Sequence, residues 1–228
     1  MANLKIDKIE NTDTYGKYEI YPLESGYGHT FATPIRRIAL SSIKGTAVTK
    51  VRVKGVDHEF STLKGMREDV LRLVLNLQKV VFRLEASESE KVTLKVKGVK
   101  EVKASDLKLP GNVTVLNPEL VLAELTDKSA ELELEATVET GYGFEEADDE
   151  GRNAEPGIIP LPKSFSPVIK VNVNVESTRV GQRTDYEKIV IDIWTDGAVT
   201  SDEALKETMQ KFMDGVSELN ALVNGSEE

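Results

Sequence analysis

Residues 26–45 read GYGHTFATPIRRIALSSIKG and gather many of the side chains in this sequence that could do chemistry. The glycines ahead of His29 suggest a phosphate cradle, His29 a metal ligand or catalytic group, and Ser41 and Ser42 a nucleophile. Arg36 and Arg37, between Ile35 and Ile38, fit a helix whose two faces serve two protein partners. A phosphate loop needs GxxxxGK[ST], or GxGxxG leading from strand to helix, and neither occurs. The second histidine, His58, is distant in sequence and has no carboxylate at ligand spacing, so the local pattern of a metal site is missing. Glu145, Glu146, Asp148, Asp149 and Glu150 cluster without the DxDxDG order of a calcium loop and read as a solvated loop. Ser41 and Ser42 lack a nucleophile elbow. No catalytic, metal or cofactor site is expected.

Charge narrows the classes further. Lys and Arg total 29 against 39 Asp and Glu, a net charge of −10 over 228 residues. A chain this acidic repels phosphate backbones, so nucleic-acid binding would need a strong local basic patch. The lysines of KVTLKVKGVKEVK (91–103) alternate with Val92, Leu94 and Val96, which marks them as the solvated face of a half-buried strand. Cysteine is absent, which removes disulfides, thiolate zinc sites and cysteine nucleophiles together. No apolar run is long enough to span a bilayer, and the start MANLKIDKIENTD lacks the core of a signal peptide. A cytoplasmic globular protein without membrane contact is expected.

The elements that must position these residues follow from periodicity and punctuation. GKYEIYPLE (16–24) is strand-like. In the helix that follows, Pro34 is tolerated only in the first turn, which places the start at or after Thr30. Thr33 before Pro34 is the stronger N-cap signal, and Gly45 is placed to stop the helix. Residues 48–53 return to strand. MREDVLRLVLNLQ (66–78) predicts a second helix, with Met66, Val70, Leu73, Val74 and Leu77 on one face and Glu68 and Asp69 near its start. KVVFRLEA and KVTLKVKG read as strands around the turn SESE.

In AELELEATVE (130–139), Ala130, Leu132, Leu134, Ala136 and Val138 alternate with polar residues. TGYGFEEADDEGRNAEPG has no periodicity and reads as an exposed loop. Beyond Pro167, Ile169, Val171, Val173 and Val175 alternate, as do Ile189, Ile191 and Ile193, with STRVGQRTD as a connection between two strands. The last helix opens on a capping box, Thr200 with Glu203. Its apolar positions Leu205, Met209, Phe212, Val216, Leu219 and Val223 repeat every 3.5 residues, a seam that favours a partner helix. Gly215 weakens this helix by about 1 kcal/mol relative to Ala unless another backbone approaches there.

Taken together, LESGYGHTFATPIRRIALSSIKG, HEFSTLKGMREDVLRLVLNLQ, LNPELVLAELTD and SPVIKVNVNVESTRVGQRTDYEKIVIDIWTDGAVTSDEAL resemble the N-terminal domain of the bacterial RNA polymerase α subunit. The blocks occur in the right order over nearly the whole chain. Two departures are local. The family's usual Leu-Gly-Asn-Ala is replaced by Phe31-Ala32-Thr33-Pro34, which bears on the first helix. The chain also stops at LVNGSEE, where the family continues into a small domain that touches promoter DNA and activators. The resemblance therefore implies an N-terminal piece lacking that domain and making no direct DNA contact.

The fold implied is α+β. Residues 1–46 and 168–228 would form a discontinuous dimerisation domain, a sheet plus two helices. Residues 47–167 would form an inserted, mostly β domain that contacts the large subunits. The function implied is a non-catalytic scaffold: a homodimer that nucleates assembly of the β and β′ subunits of DNA-directed RNA polymerase. The resemblance places Arg37 and Leu40, with Arg36 beside them, on the face engaging β and β′, together with Glu68 and Asp69. It places Ile35, Ile38 and Ala39, and then Leu205, Met209, Phe212, Val216 and Leu219, toward the dimer. GYGH becomes the tight turn into the first helix. The competing readings are a stand-alone dimeric adaptor and a pterin-dehydratase-like enzyme of similar architecture. The enzyme would need a histidine-lined pocket, which two histidines in 228 residues supply poorly.

Overall fold

The computed structural model describes residues 4–85, 87–147 and 157–225. In chain order these form β1 (Lys5–Asn11), β2 (Tyr15–Leu23), α1 (Tyr27–Ser41), β3 (Lys44–Val53), α2 (Val70–Leu77), β4 (Phe82–Leu84) and β5 (Ser89–Lys97). Then come β6 (Lys100–Lys103), β7 (Val113–Val115), β8 (Val121–Leu125), β9 (Glu131–Tyr142), β10 (Phe144–Glu145), β11 (Ile158–Pro160) and β12 (Lys163–Ser164). The chain closes with β13 (Val168–Val180), β14 (Arg183–Thr195) and α3 (Ser201–Val223). Mostly strands, with three α-helices among the described residues, the fold is α+β. It divides into two compact units, one joining Met1–Ile43 to Ser166–Glu228 and the other Lys44–Phe165.

The first unit is an antiparallel sheet of order β1-β2-β14-β13. Alternation puts Tyr18 and Ile20 of β2 with Ile189, Ile191 and Ile193 of β14 into one core, which α1 and α3 complete with Ile35, Ala39, Ala204 and Leu205. Ile169 departs from the expected pattern. A register shift between Val168 and Lys170 turns it outward, 67% exposed, and buries Val168 instead. STRVGQRTD is also more than a connection: all but Gly181 and Gln182 belongs to the paired strands β13 and β14.

α1 corrects the reading of Pro34. The helix starts at Tyr27, not at or after Thr30, and Pro34 lies inside it. Proline offers no N–H to the Thr30 carbonyl, yet burial of Gly28, Ala32, Ile35 and Ala39 along one stripe outweighs that loss. Gly45 does not end the helix. Ser42 does, its N–H donating to Ile38 O at 2.8 Å, and Gly45 pairs with Gly141 in β3. α3 starts as its capping box predicts: Thr200 Oγ1 accepts from the Glu203 N–H at 3.2 Å, and Glu203 accepts from the Thr200 N–H at 2.9 Å.

The second unit centres on an antiparallel sheet of order β11-β3-β9-β5. Leu132, Leu134, Ala136 and Val138 of β9 face the core, with Val92 and Leu94 of β5 and the apolar side of α2. On the outer face the lysines of β5 reach the carboxylates of β9: Lys91 to Glu135 at 2.8 Å, Lys95 to Glu133 at 3.0 Å and Lys97 to Glu131 at 3.1 Å. α2 is shorter than predicted, because residues 66–68 pair with β8. Met66 bridges to Leu125, and the Arg67 N–H donates to Glu124 O at 2.9 Å. Extended pairing displaces the first helical turn, while Met66 stays in the same core. The expected loop at 140–157 is partly strand: β9 runs to Tyr142, and β10 pairs with β12. Asp148, Asp149 and Glu150 lie outside the described residues.

Candidate interaction surface

The buried stripe of α1 decides where its charges go. With Ala32, Ile35 and Ala39 turned inward, Arg36 and Arg37 stand exposed and Leu40 is half-buried beside them. Among the described residues neither guanidinium has an ion-pair partner. Between α1 and β13 runs an open groove of about 490 Å³, lined by His29, Arg36, Arg37 and Leu40 with Val173 and Asn174. Guanidinium forks suit carboxylates and backbone carbonyls.

The N-terminus of α1 is held from a distance. Gly26 occupies the N-cap at φ +88°, a left-handed conformation that favours glycine, and no local side chain caps the helix. Glu187 of β14 does so instead: one carboxylate oxygen accepts from the Gly26 N–H at 2.9 Å, the other from the Gly28 N–H at 2.8 Å. The hydrogen bonds from Gly26 and Gly28, with His29 nearby, hold the Glu187 carboxyl below the ordinary glutamate range. Sequence reasoning missed Glu187, because the helix it caps is 159 residues away.

The residues predicted for the dimer seam divide by depth. Ile35, at 2% exposure, and Leu205 are enclosed in their own unit and have almost no surface left for a second chain. Ile38, Met209 and Phe212 are half-buried. Val216 and Leu219 are exposed, Leu219 by 65%, and from Met213 to the end of α3 no residue is buried. The apolar surface on offer therefore lies toward the C-terminal half of the helix. Apart from its chain neighbours and the backbone of its own helix turn, no described atom lies within 4 Å of a Cβ added at Gly215.

Glu68 and Asp69 have local work to do. The Asp69 carboxylate accepts from the Arg72 N–H at 2.7 Å and caps α2, while Glu68 accepts from the Glu124 N–H at 2.8 Å. The apolar residues α2 leaves outward are Leu71 and Leu75, both exposed, with Arg72 beside them. Their four-residue spacing, off the buried stripe, was the signal available in the sequence.

The residues with nucleophilic or metal-binding chemistry are not brought together. Ser41 Oγ donates to Arg37 O at 2.8 Å, and His58 Nδ1 lies 3.2 Å from Ser61 Oγ in an exposed turn. Among the described residues no group of three or more His, Asp or Glu is placed to hold a metal ion. Nor is any helix of them long and apolar enough to cross a membrane.

Residues 51–166 match the family described as the RNA polymerase Rpb3/RpoA insert domain. The DNA-directed RNA polymerase subunit alpha of Limosilactobacillus reuteri is 42% identical over 203 residues, covering 88% of this chain and 64% of that protein. The protein of that name in Roseiflexus castenholzii is 41% identical over the whole of this chain and 71% of its own length. This chain belongs to the bacterial RNA polymerase α-subunit family. Another α subunit, from Aquifex aeolicus, is 42% identical over 208 residues, 90% of this chain and 66% of its own length. The α-family chain described here thus spans 64 to 71% of the length of these relatives. The insert-domain match falls almost wholly on the unit Lys44–Phe165.

Proposed function

We propose that this chain is the assembly scaffold of a bacterial DNA-directed RNA polymerase. Two copies pair through α1 and α3, and the dimer gathers the β and β′ subunits, which perform nucleotidyl transfer in the cytoplasm. The unit joining the two chain ends makes the dimer, and the inserted unit, with the Arg36–Arg37 face, meets the large subunits.

The observation that carries this reading is the distal half of α3. Capped and buried at its start, the helix then presents Met213, Val216, Leu219, Leu222 and Val223 to solvent, Val223 by 84%. An apolar stripe of this length is unfavourable in water and matches its own copy across a two-fold axis. Membership of the α-subunit family supports the partners named.

Replacing Phe212 and Leu219 together with Asp puts charges into that contact. Light scattering is expected to give the monomer mass, and an unchanged dimer would overturn the assignment. Duplex DNA binding by this chain alone is not expected, given its net charge of −10. Tight binding with a steep salt dependence would contradict that.

A further inference from the structure

We propose that Glu187 is a positioning residue for the groove of Arg36 and Arg37: from β14 it caps α1 and sets where the helix lies on the sheet. This rests on the scaffold reading only for what the groove binds.

The N-terminal N–H groups of a helix have no intrahelical partner and must find one elsewhere. α1 has no local side-chain remedy, although the Tyr27 N–H donates to Glu24 O at 3.1 Å. Gly26 has no side chain, and the first turn contains no acid. Glu187 supplies both of its oxygens to the Gly26 and Gly28 N–H groups and adds a negative charge at the positive end of the helix dipole. Its own place is rigid, because it pairs with Ser177 of β13 on one side and Leu23 of β2 on the other.

Two further features make the cap decisive. Gly28 sits so close to the sheet that a Cβ there would fall 2.5 Å from Val175 Cγ1 and 2.7 Å from Glu187 Oε2. A side chain at 28 would therefore force Val175 and the Glu187 carboxylate to shift. Pro34 then interrupts the hydrogen-bond ladder in mid-helix, so the turns before it depend more on their own anchor. Those turns carry His29, which lines the groove together with Arg36 and Arg37 on the following turn. Without Glu187, the first turns fray toward Pro34 and the groove loses its N-terminal wall.

Hydrogen exchange of the free chain tests this directly. Glu187→Gln keeps the shape and removes the charge. Amides at residues 26–33 are expected to exchange about tenfold faster, the lower range for losing a charged hydrogen bond. Those of β13, β14 and α3 should be unchanged. Glu187→Asp, which retains a carboxylate, should restore part of the protection, and capture of the large subunits should follow the same order. Unchanged protection at 26–33 in Glu187→Gln would overturn the proposal, and so would equal loosening throughout the sheet. If Glu187→Gln fails to fold, Gly28→Ala displaces the carboxylate by another route and should loosen the same residues; wild-type protection there also counts against the proposal. Arg37→Ala separates the two readings. It leaves the exchange pattern intact, so wild-type capture by that variant removes the Arg36–Arg37 face from the large-subunit contact while the exchange data still decide Glu187.

Discussion

Phe31 of α1 and Phe212 of α3 meet edge to face, ring centroids 6.3 Å apart and ring planes at 77°. Tyr27 extends the contact, 5.7 Å from Phe31. The pair sits where α3 leaves its own core: Phe212 is half-buried, and Met213 and the residues beyond it are exposed. This contact therefore helps set the direction in which the apolar distal half of α3 projects.

A double-mutant cycle of Phe31→Leu and Phe212→Leu should return a coupling of about 0.5–1.5 kcal/mol, the range for aromatic pairs beyond their area burial. Urea unfolding of the four proteins measures it. Additive single mutants would mean that the ring geometry contributes nothing.

Arg37→Ala should leave the dimer intact and weaken capture of β by about thirtyfold or more, as for an interface arginine that becomes buried and paired. Arg37→Lys should restore little, since a point charge does not reproduce the fork. Reconstitution from purified subunits supplies the readout, and wild-type affinity of the Ala variant would remove Arg37 from the interface.

The capping box makes a local prediction. Thr200→Ala removes the acceptor for the Glu203 N–H and should cost about 1 kcal/mol of stability. Thr200→Ser should recover most of it. A thermal melt of the three proteins decides, and no loss in the Ala variant would show that the box is dispensable.

Alkaline pH should loosen the base of α3. The Tyr18 hydroxyl donates to Asp202 at 2.7 Å and lies 3.0 Å from Ser201 Oγ. Burial, and then the Asp202 carboxylate, pushes the phenol from its ordinary 10 up to about 12. The folded state thus holds its proton more tightly than the unfolded chain. Its contribution is complete below pH 10 and is lost as pH rises from 10 toward 12. Tyr15, also pushed up to about 12 and chiefly by its hydrogen bond to Asp192, acts in the same direction. Tyr18→Phe should therefore flatten part of the alkaline decline in urea midpoint but not all of it. An unchanged slope would count against the assignment.

Local signals determined much of this protein from sequence alone. Alternation in residues 130–139 specified the buried side of β9, because a strand's side-chain period is two and leaves no second way to bury leucines. Thr200 and Glu203 specified the start of α3, because both partners of the capping box lie within one turn. The ordered blocks carried the family. Tertiary structure decided what depended on distant partners. Pro34 argues for a late start to α1, but Glu187 satisfies the Gly26 and Gly28 N–H groups from across the chain, and burial of the stripe compensates for the missing bond. The first turn predicted for α2 lost to pairing with β8, and a bulge turned Ile169 out of its expected register. Whether a seam residue such as Leu205 is enclosed, or one such as Leu219 is left for a partner, depends on how far α3 overlaps its own sheet. Heptad spacing is blind to that overlap, because it repeats identically along a helix whether the neighbour is the same chain or another.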